Sequence, residues 1–310
     1  MFIFKEKRDE MSFFRRTVIM LAVFVFILSA GCSKKDSSSS AKDESSVTES
    51  SSADSSDGSK DSSEAEPVPT EQGDKIKAAA KFFDNEKYEF VCKVSGIGAD
   101  AVITIVKDTG VYSQVTDYGF AKSYIYCKGS ETFRYDDVTK CFAHDLSSVT
   151  NAPKGNIISE TVKKNLPQTK SHINKELAEK YDVEEYTYTG GTYITVLDFY
   201  FDKNKGALSR YTVNYTVEGK DDETEVRDVI KMDTTDVRKT EFSENKLRDD
   251  YTDFNAMSET ERDSFCRKML EKAGAKEEDL LSAGLTMFEL KKISYADFSA
   301  FMIDFTAKKK

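Results

Sequence analysis

Short runs of aromatic and β-branched residues recur about every ten residues between positions 88 and 144, and turn-forming residues separate the runs. An Asp-Thr-Gly turn at 108–110 and a Lys-Gly-Ser turn at 128–130 are typical of β-hairpins. Neighbouring strands joined by such short links form an antiparallel meander. The predicted strands of this meander are 88–95, 101–107, 111–118, 121–128, 131–136 and 140–144.

Four more strands follow after an interruption. Segments 156–165 and 174–181 have helical patterns, and the later strands are predicted at 183–189, 193–201, 207–217 and 223–232. Segment 207–217 alternates cleanly between two faces, whereas 193–201 is apolar on both faces except at Asp198. A strand of the second kind is covered on both sides, or is covered on one side and lined by a ligand on the other.

Helical patterns flank the strands. Segment 75–84 has apolar residues at helical spacing, with Asp74 placed to cap it. Near the C-terminus, Ser258 and Glu261 form a capping-box pattern for a helix to 273, and 277–283, 286–291 and 294–305 are helical as well. The last segment has a period-four aromatic face, which is typical of core contacts, with a surface for another protein as the alternative. The predicted class is α+β: an antiparallel sheet of about ten strands, an N-terminal helix and a helical C-terminal extension.

The N-terminus carries a targeting pattern. Arg15 and Arg16 precede an uncharged run of 14 residues at 17–30, and small residues then lead to Cys32. The run is shorter than the roughly 20 residues that span a bilayer but suits a signal-peptide core. The pattern resembles the lipobox of bacterial lipoproteins, although Ser29 stands three places before the cysteine where leucine is commonest. Met1 and Met11 are both candidate start residues. The alternatives are an uncleaved anchor or an ordinary signal peptide.

The lipobox resemblance implies cleavage before Cys32 and a thioether link from Cys32 to a diacylglycerol. We therefore expect a protein held by its lipid on the extracytoplasmic face of the cell membrane, with residues 1–31 removed. In residues 33–72, fifteen of 40 positions are Ser, ten are Asp or Glu, and none is aromatic. This composition predicts a disordered tether of a kind frequent in Gram-positive lipoproteins. A β domain at 73–255 and a helical extension at 256–310 would follow.

Charge and composition exclude several function classes. Without residues 1–31 the chain keeps 40 basic and 52 acidic residues, a net charge of −12. Nucleic-acid binding and broad contact with anionic lipid need clustered positive charge, which this balance opposes. His144 and His172 are the sole histidines, which weakens zinc sites and histidine catalysis. No catalytic or cofactor motif is present, so we expect neither an enzyme nor a cofactor or metal.

Four cysteines remain if Cys32 is lipidated: Cys92, Cys127, Cys141 and Cys266. An even number outside the cytoplasm permits two disulfides in any of three pairings. Four buried thiols are the alternative. The spacing of the cysteines does not choose between them.

The order of elements adds a second resemblance. The helix at 75–84, the strands of 88–144 and the late strand pair Leu-Asp-Phe-Tyr-Phe-Asp at 197–202 and Leu-Ser-Arg-Tyr at 208–211 resemble the LolA and LprG/LppX group of envelope proteins. The resemblance covers roughly 73–245 and implies a strongly curved sheet, a half-barrel closed on one side by helices, with an apolar hollow for acyl chains. The candidate lining residues are Ile103, Ile105, Tyr124, Tyr126, Phe133, Tyr135, Leu197, Phe199 and Phe201. The alternative is that they fill a core.

Two functions follow as hypotheses. The first is a membrane-anchored lipoprotein that binds a lipid or another apolar ligand without catalysis. The second is an interaction or structural module with a filled core, which holds an envelope protein partner through its outer surface or its C-terminal helices. A carboxylate-based enzyme such as a glycosidase is a more remote third hypothesis, because no acidic pair stands out at the strand ends.

Overall fold

A computed structural model describes residues 72–146, 157–169, 175–190, 193–217, 222–282 and 285–309. The predicted signal peptide, Cys32, nearly all of the Ser-rich tract and His172 lie outside the described residues. Within the described ranges, no helix combines the length and the apolar character needed to cross a membrane.

Twelve strands and eight helices form in the described residues. The strands are β1 (Lys87–Ser95), β2 (Ala101–Asp108), β3 (Val111–Asp117), β4 (Lys122–Lys128), β5 (Glu131–Asp136), β6 (Cys141–Leu146), β7 (Gln168–Thr169), β8 (Tyr181–Gly190), β9 (Tyr193–Asp202), β10 (Leu208–Val217), β11 (Glu223–Asp233) and β12 (Thr252–Asp253). The helices are α1 (Asp74–Phe82), α2 (Ile157–Lys163), α3 (Lys175–Lys180), α4 (Glu244–Asp250), α5 (Glu259–Lys272), α6 (Glu277–Ser282), α7 (Met287–Leu290) and α8 (Tyr295–Ala307).

All twelve strands belong to one curved, unclosed sheet in the order β12-β6-β5-β4-β3-β2-β1-β11-β10-β9-β8-β7. Every pairing is antiparallel except that of β12 with β6. The predicted α+β class and its antiparallel half-barrel sheet are therefore confirmed. The β2–β3 hairpin has the predicted turn, with positive φ at Thr109 and Gly110 as tight hairpins require.

Cross-strand pairing assigns each side chain to one of two faces. Residues directly opposite each other in an antiparallel pair point to the same side of the sheet. Cys92, Ile103, Thr116 and Ser123 are successive partners across β1–β4 and mark what we call the helical face. Their sequence neighbours point the other way, to what we call the outer face.

A first core cluster covers the helical face of β1 and β8–β11. Ile76 of α1 and Phe83, which follows the helix directly, pack there against Phe90, Phe199 and other buried residues. Ile158 of α2 belongs to the same cluster. Burial of Val, Leu, Ile or Phe side chains contributes roughly 1.5–3 kcal/mol each. The helix is thus held by its apolar stripe, as its spacing predicts.

The N-terminus of α1 is capped differently from the prediction. Asp74 is the first helical residue, and the N-cap Gly73 has no side chain to offer. The carboxylate of Glu184, from β8, accepts hydrogen bonds from the backbone N–H groups of Lys75 at 3.1 Å and Ile76 at 3.0 Å. Glu184, which lies 109 positions after Lys75, therefore caps the helix in place of Asp74.

A second core cluster joins the C-terminal helices to the other end of the sheet. Cys141 and Ala143 of β6 meet Cys266, Leu270 and Phe298 from α5 and α8. The predicted capping box of Ser258 with Glu261 is present at the start of α5. The helical extension therefore packs on the helical face.

The outer face carries a smaller cluster. Phe133 and Phe142 pack there with Leu247 of α4, and the ring of Phe242 stacks on Tyr126 at 3.9 Å between centroids. Helix α4 is absent from the sequence prediction. Its one buried residue, Leu247, gives no helical stripe to recognise, so the helix depends on this tertiary contact.

Candidate functional site

The nine candidate lining residues fall on opposite faces of the sheet. Pairing places Ile103, Ile105, Leu197, Phe199 and Phe201 on the helical face, and Tyr124, Tyr126, Phe133 and Tyr135 on the outer face. A sheet separates its two faces, so these nine side chains do not line one common hollow. The structure thus divides the hypothetical site in two.

On β9 the candidate residues fill a core. Leu197, Phe199 and Phe201 are at most 3% exposed and belong to the first core cluster beneath α1. The ring of Phe199 lies 5.9 Å from that of Tyr186 and 5.8 Å from that of Tyr211, as close aromatic pairs do. These residues therefore follow the alternative interpretation, in which the strand is covered on this face by protein.

A cavity of about 950 Å³ opens on the helical face, between the two core clusters. The sheet contributes Val94, Ile103 and Tyr215, and α8 lies across it with Ala300, Ile303 and Ala307. Ile97 and Ala99 of the β1–β2 connection, together with Tyr118 and Phe120, complete the apolar wall. Of the nine candidates, Ile103 alone lines this cavity.

A glycine turn shapes one end of the cavity. Gly96 has φ +103°, and a Cβ atom placed on it would lie 2.3 Å from the backbone oxygen of Thr224 at the start of β11. Only glycine permits both this backbone conformation and so close an approach. The β1–β2 connection is thereby held beside β11 at the rim of the cavity.

A buried ion pair forms part of the sheet wall. Arg227 Nε lies 2.5 Å from Glu225 Oε1, and an Nη1–H of Arg227 donates to the Tyr211 hydroxyl at 3.2 Å. Burial alone would lower the pKa of Arg227, but Tyr211 and Glu225 outweigh it and raise that pKa well above its ordinary value. The guanidinium therefore stays charged and satisfied by its protein partners.

Neutral polar side chains of β3 and β4 also lie at the cavity. The Tyr112 hydroxyl donates to Gln114 Oε1 at 3.2 Å, and Gln114 Nε2 lies 3.4 Å from Thr116 Oγ1. Ser123 lies beside them on β4. A mostly apolar cavity with a few placed polar groups is typical of a small-molecule site.

Helix α8 is fixed to the sheet beside the cavity by a buried hydrogen-bond network. The Tyr295 hydroxyl donates to Asp136 Oδ2 at 2.5 Å and also lies 2.6 Å from the carbonyl oxygen of Cys141. Asp136 is fully buried and accepts further bonds from the backbone N–H and hydroxyl of Thr139. Burial and the Asp136 charge raise the pKa of Tyr295, so it remains a neutral donor.

A second hollow of about 780 Å³ lies on the outer face. Tyr124, Tyr126 and Tyr135 line it together with Phe242 from the segment that follows β11. The Tyr124 and Tyr135 rings stack at 4.5 Å. Three of the nine sequence candidates are therefore brought together here, on the face opposite the larger cavity.

Two buried carboxylates face each other across β8 and β9. Glu185 and Asp198 are direct partners and are 0% and 4% exposed. Glu185 accepts from the Thr169 hydroxyl at 2.6 Å, and Asp198 accepts from the Thr212 hydroxyl at 2.9 Å. Neither residue lines the cavity or the second hollow, so they do not form the open pair that glycoside hydrolysis uses. The signal for Asp198 was its position in an otherwise apolar strand.

The four cysteines are buried and free in the structure. Burial raises the pKa of Cys141 to about 12 and those of Cys92 and Cys266 to about 11, so these thiols are not reactive thiolates near neutral pH. Within the described ranges, no group of three or more His, Cys, Asp or Glu side chains is placed to hold a metal ion.

The aromatic face of the last helix is used internally. Phe298, Phe301 and Met302 are at most 5% exposed and belong to the second core cluster. Of the large apolar side chains described beyond residue 256, Phe288 is the one that is mostly exposed. Among the described side chains of the extension, these aromatic residues are therefore part of the core.

The cavity lining was not recognisable from the sequence, apart from Ile103. Val94, Tyr215, Ala300 and Ile303 are ordinary core-like residues, and they become a lining only because α8 crosses the sheet there. Comparison with known proteins adds no further residue: the chain matches no protein-family model and no curated protein.

Proposed function

We propose that this protein is a lipoprotein held on the extracytoplasmic face of the cell membrane through a lipid on Cys32, and that its folded part binds a lipid or another apolar ligand without catalysis. The cavity between the helical face and α8 supports the ligand-binding part of this proposal, and the sequence pattern before Cys32 supports the anchor. The proposed binding site is this cavity, and the residues of β9 are not part of it because they fill the core.

Size and lining support ligand binding. Small-molecule sites enclose roughly 300–1,000 Å³ and are mostly apolar, and the cavity of about 950 Å³ is of this kind. Each buried methylene contributes about 0.8 kcal/mol, so ten methylenes of an acyl chain contribute about 8 kcal/mol. That is equivalent to a dissociation constant of about 1 μM before the cost of ordering the chain.

The first experiment asks whether the cavity is occupied. The full chain is purified from membranes, and organic extracts are analysed by mass spectrometry against an Ala300→Phe variant, whose new ring projects into the cavity. We expect a near-stoichiometric apolar compound that is reduced at least several-fold in the variant. Ala296→Phe, on the same helix but outside the lining, is the matched control and should retain the compound.

An extract with no enriched compound, from protein that also takes up no added fatty alcohol, amine or acid, would contradict ligand binding. The protein-interaction hypothesis, for which Leu146, Ile230 and Phe288 are exposed apolar residues, would then be preferred.

The anchor is tested separately. Cys32→Ser should release the protein from the membrane fraction or leave it as an uncleaved precursor, because the thioether link needs the cysteine sulfur. Ser33→Ala is the control and should remain membrane-bound and processed. A Cys32→Ser protein that is cleaved normally and still fractionates with membranes would contradict the lipid anchor.

A further inference from the structure

Acidic side chains outnumber basic ones in the lining of the cavity. Its lining contains five carboxylates and two cationic side chains, namely Asp100, Asp222, Glu223, Glu225, Asp304, Arg227 and Lys308. A ligand that reaches the rim of the cavity therefore meets an excess of negative charge.

Both cations already have carboxylate partners. Arg227 is paired with Glu225 at 2.5 Å, and Lys308 is paired with Asp304 at 2.7 Å, four residues earlier on α8. Arg227 could neutralise an anionic headgroup only by giving up its buried partner, and the charge of Lys308 is already balanced by Asp304. Breaking the buried Arg227–Glu225 pair would leave a buried charge unpaired, which is strongly unfavourable.

Three carboxylates of the lining have no cationic partner among the residues that the structure describes. Among the described residues, no ion pair involves Asp100, Asp222 or Glu223. Asp222 and Glu223 lie at the start of β11, opposite the β1–β2 connection that carries Asp100. Apolar walls inside and unpaired carboxylates at the rim form an amphipathic site of defined sign.

Resting on the proposed function, we propose that the ligand of the cavity is an amphiphile with a positively charged headgroup, an alkylammonium compound, whose chain lies against α8 and whose ammonium group meets Asp100, Asp222 and Glu223. Fatty acids and anionic phospholipids are disfavoured by the same carboxylates. A cleft lined by one sign of charge concentrates counter-ions about 10- to 1,000-fold, and the two paired cations in this lining favour the lower end of that range. We expect at least about tenfold preference for amine over acid.

The test uses three photoreactive probes with the same diazirine-bearing alkyl chain and a primary amine, an alcohol or a carboxylic acid at the end. The full chain in phosphatidylcholine vesicles is labelled at neutral pH, and labelled peptides are mapped. The measured quantity is the amine-to-acid ratio on peptides of the cavity. Comparing this ratio between variants cancels differences in how the probes partition into the vesicles.

The test variant is Asp222→Asn/Glu223→Gln, and the matched control is Asp249→Asn/Asp250→Asn, which removes two exposed charges from α4 outside the cavity. We expect the ratio to fall several-fold in the first and to stay unchanged in the second. Labelling by the alcohol should be equal in all three proteins, which shows that the cavity is intact.

The outcomes separate the two proposals. An equal ratio in the wild type and in Asp222→Asn/Glu223→Gln, or a preference for the acid, overturns the headgroup inference while chain binding stands. Absence of cavity labelling by all three probes overturns ligand binding itself.

Discussion

Tyr295→Phe tests how α8 is held above the cavity. The change removes one hydroxyl group and keeps the ring, so the packing of the second core cluster is preserved. Tyr295 is 4% exposed and Asp136 is 0% exposed, so water does not readily replace the lost hydrogen bond. What remains is a buried carboxylate with one donor fewer and a Cys141 carbonyl without its hydroxyl contact.

The magnitude follows from these contacts. A hydrogen bond to a charged group contributes about 1.5–3 kcal/mol, and Asp136 keeps three other donors, from Val138 and Thr139. We therefore expect Tyr295→Phe to lower the free energy of unfolding by about 2 kcal/mol. For a folded part of this size, that corresponds to a melting temperature lower by about 4–8 °C.

The assay is urea unfolding followed by circular dichroism, with the midpoint and the slope fitted separately. The midpoint should fall while the slope is unchanged, because the same surface is exposed on unfolding. Tyr181→Phe is the control, since no hydrogen bond to its hydroxyl is present among the described residues and its ring is half-buried. In addition, Tyr295→Phe should speed hydrogen exchange, relative to the wild type, more in α8 than in α1.

A loss below about 0.5 kcal/mol for Tyr295→Phe, or a loss no larger than that of Tyr181→Phe, would refute the reasoning. It would show that the Asp136 network does not hold the helix. A double-mutant cycle with Asp136→Asn gives the same test independently: additive losses would mean that the two side chains are not coupled.

Three other changes should show how distant elements are joined. Glu184→Ala should cost about 2–3 kcal/mol in urea unfolding by leaving two N–H groups of α1 uncapped, and a cost below about 0.5 kcal/mol would contradict that role. Gly96→Ala should destabilise more than Gly119→Ala, because both have positive φ but only Gly96 meets backbone; equal melting temperatures would contradict this. Burial would raise the pKa of Glu89, but hydrogen bonds from Lys231 and Arg238 lower it below its ordinary 4.5. Its contribution to stability is therefore complete above about pH 4.5 and is lost as pH falls through the lowered pKa. Glu89→Gln should therefore weaken the dependence of the urea midpoint on pH below pH 4.5. If the midpoint varied with pH as steeply as in the wild type, Glu89 would be excluded as the cause.

The sequence predicted most elements because their signals are local. Strand boundaries agree within two residues for the ten predicted strands, and the turn at 108–110 and the Ser258 capping box form as expected. The two extra strands, β7 and β12, have two residues each, too short for any alternation to show. Helix α4 has one buried residue and no apolar stripe. Such elements form because neighbours already in place bind them.

The candidate site was predictable only in kind. Residue type identified the apolar side chains, but Tyr124 and Ile103 look equally suitable in the sequence and point to opposite faces of the sheet. Their separation depends on the register of two successive strand pairs, β2–β3 and β3–β4, and a shift of one residue would exchange the faces.

By itself, the sequence determined where most strands and helices form and which residues are apolar, because periodicity, capping and turn chemistry act over a few neighbouring residues. Only the tertiary structure decided that β9 is filled on its helical face, that Glu184 caps α1, and that an open cavity lies beneath α8. These outcomes join residues more than a hundred positions apart, so they depend on sheet register and on where the helices pack.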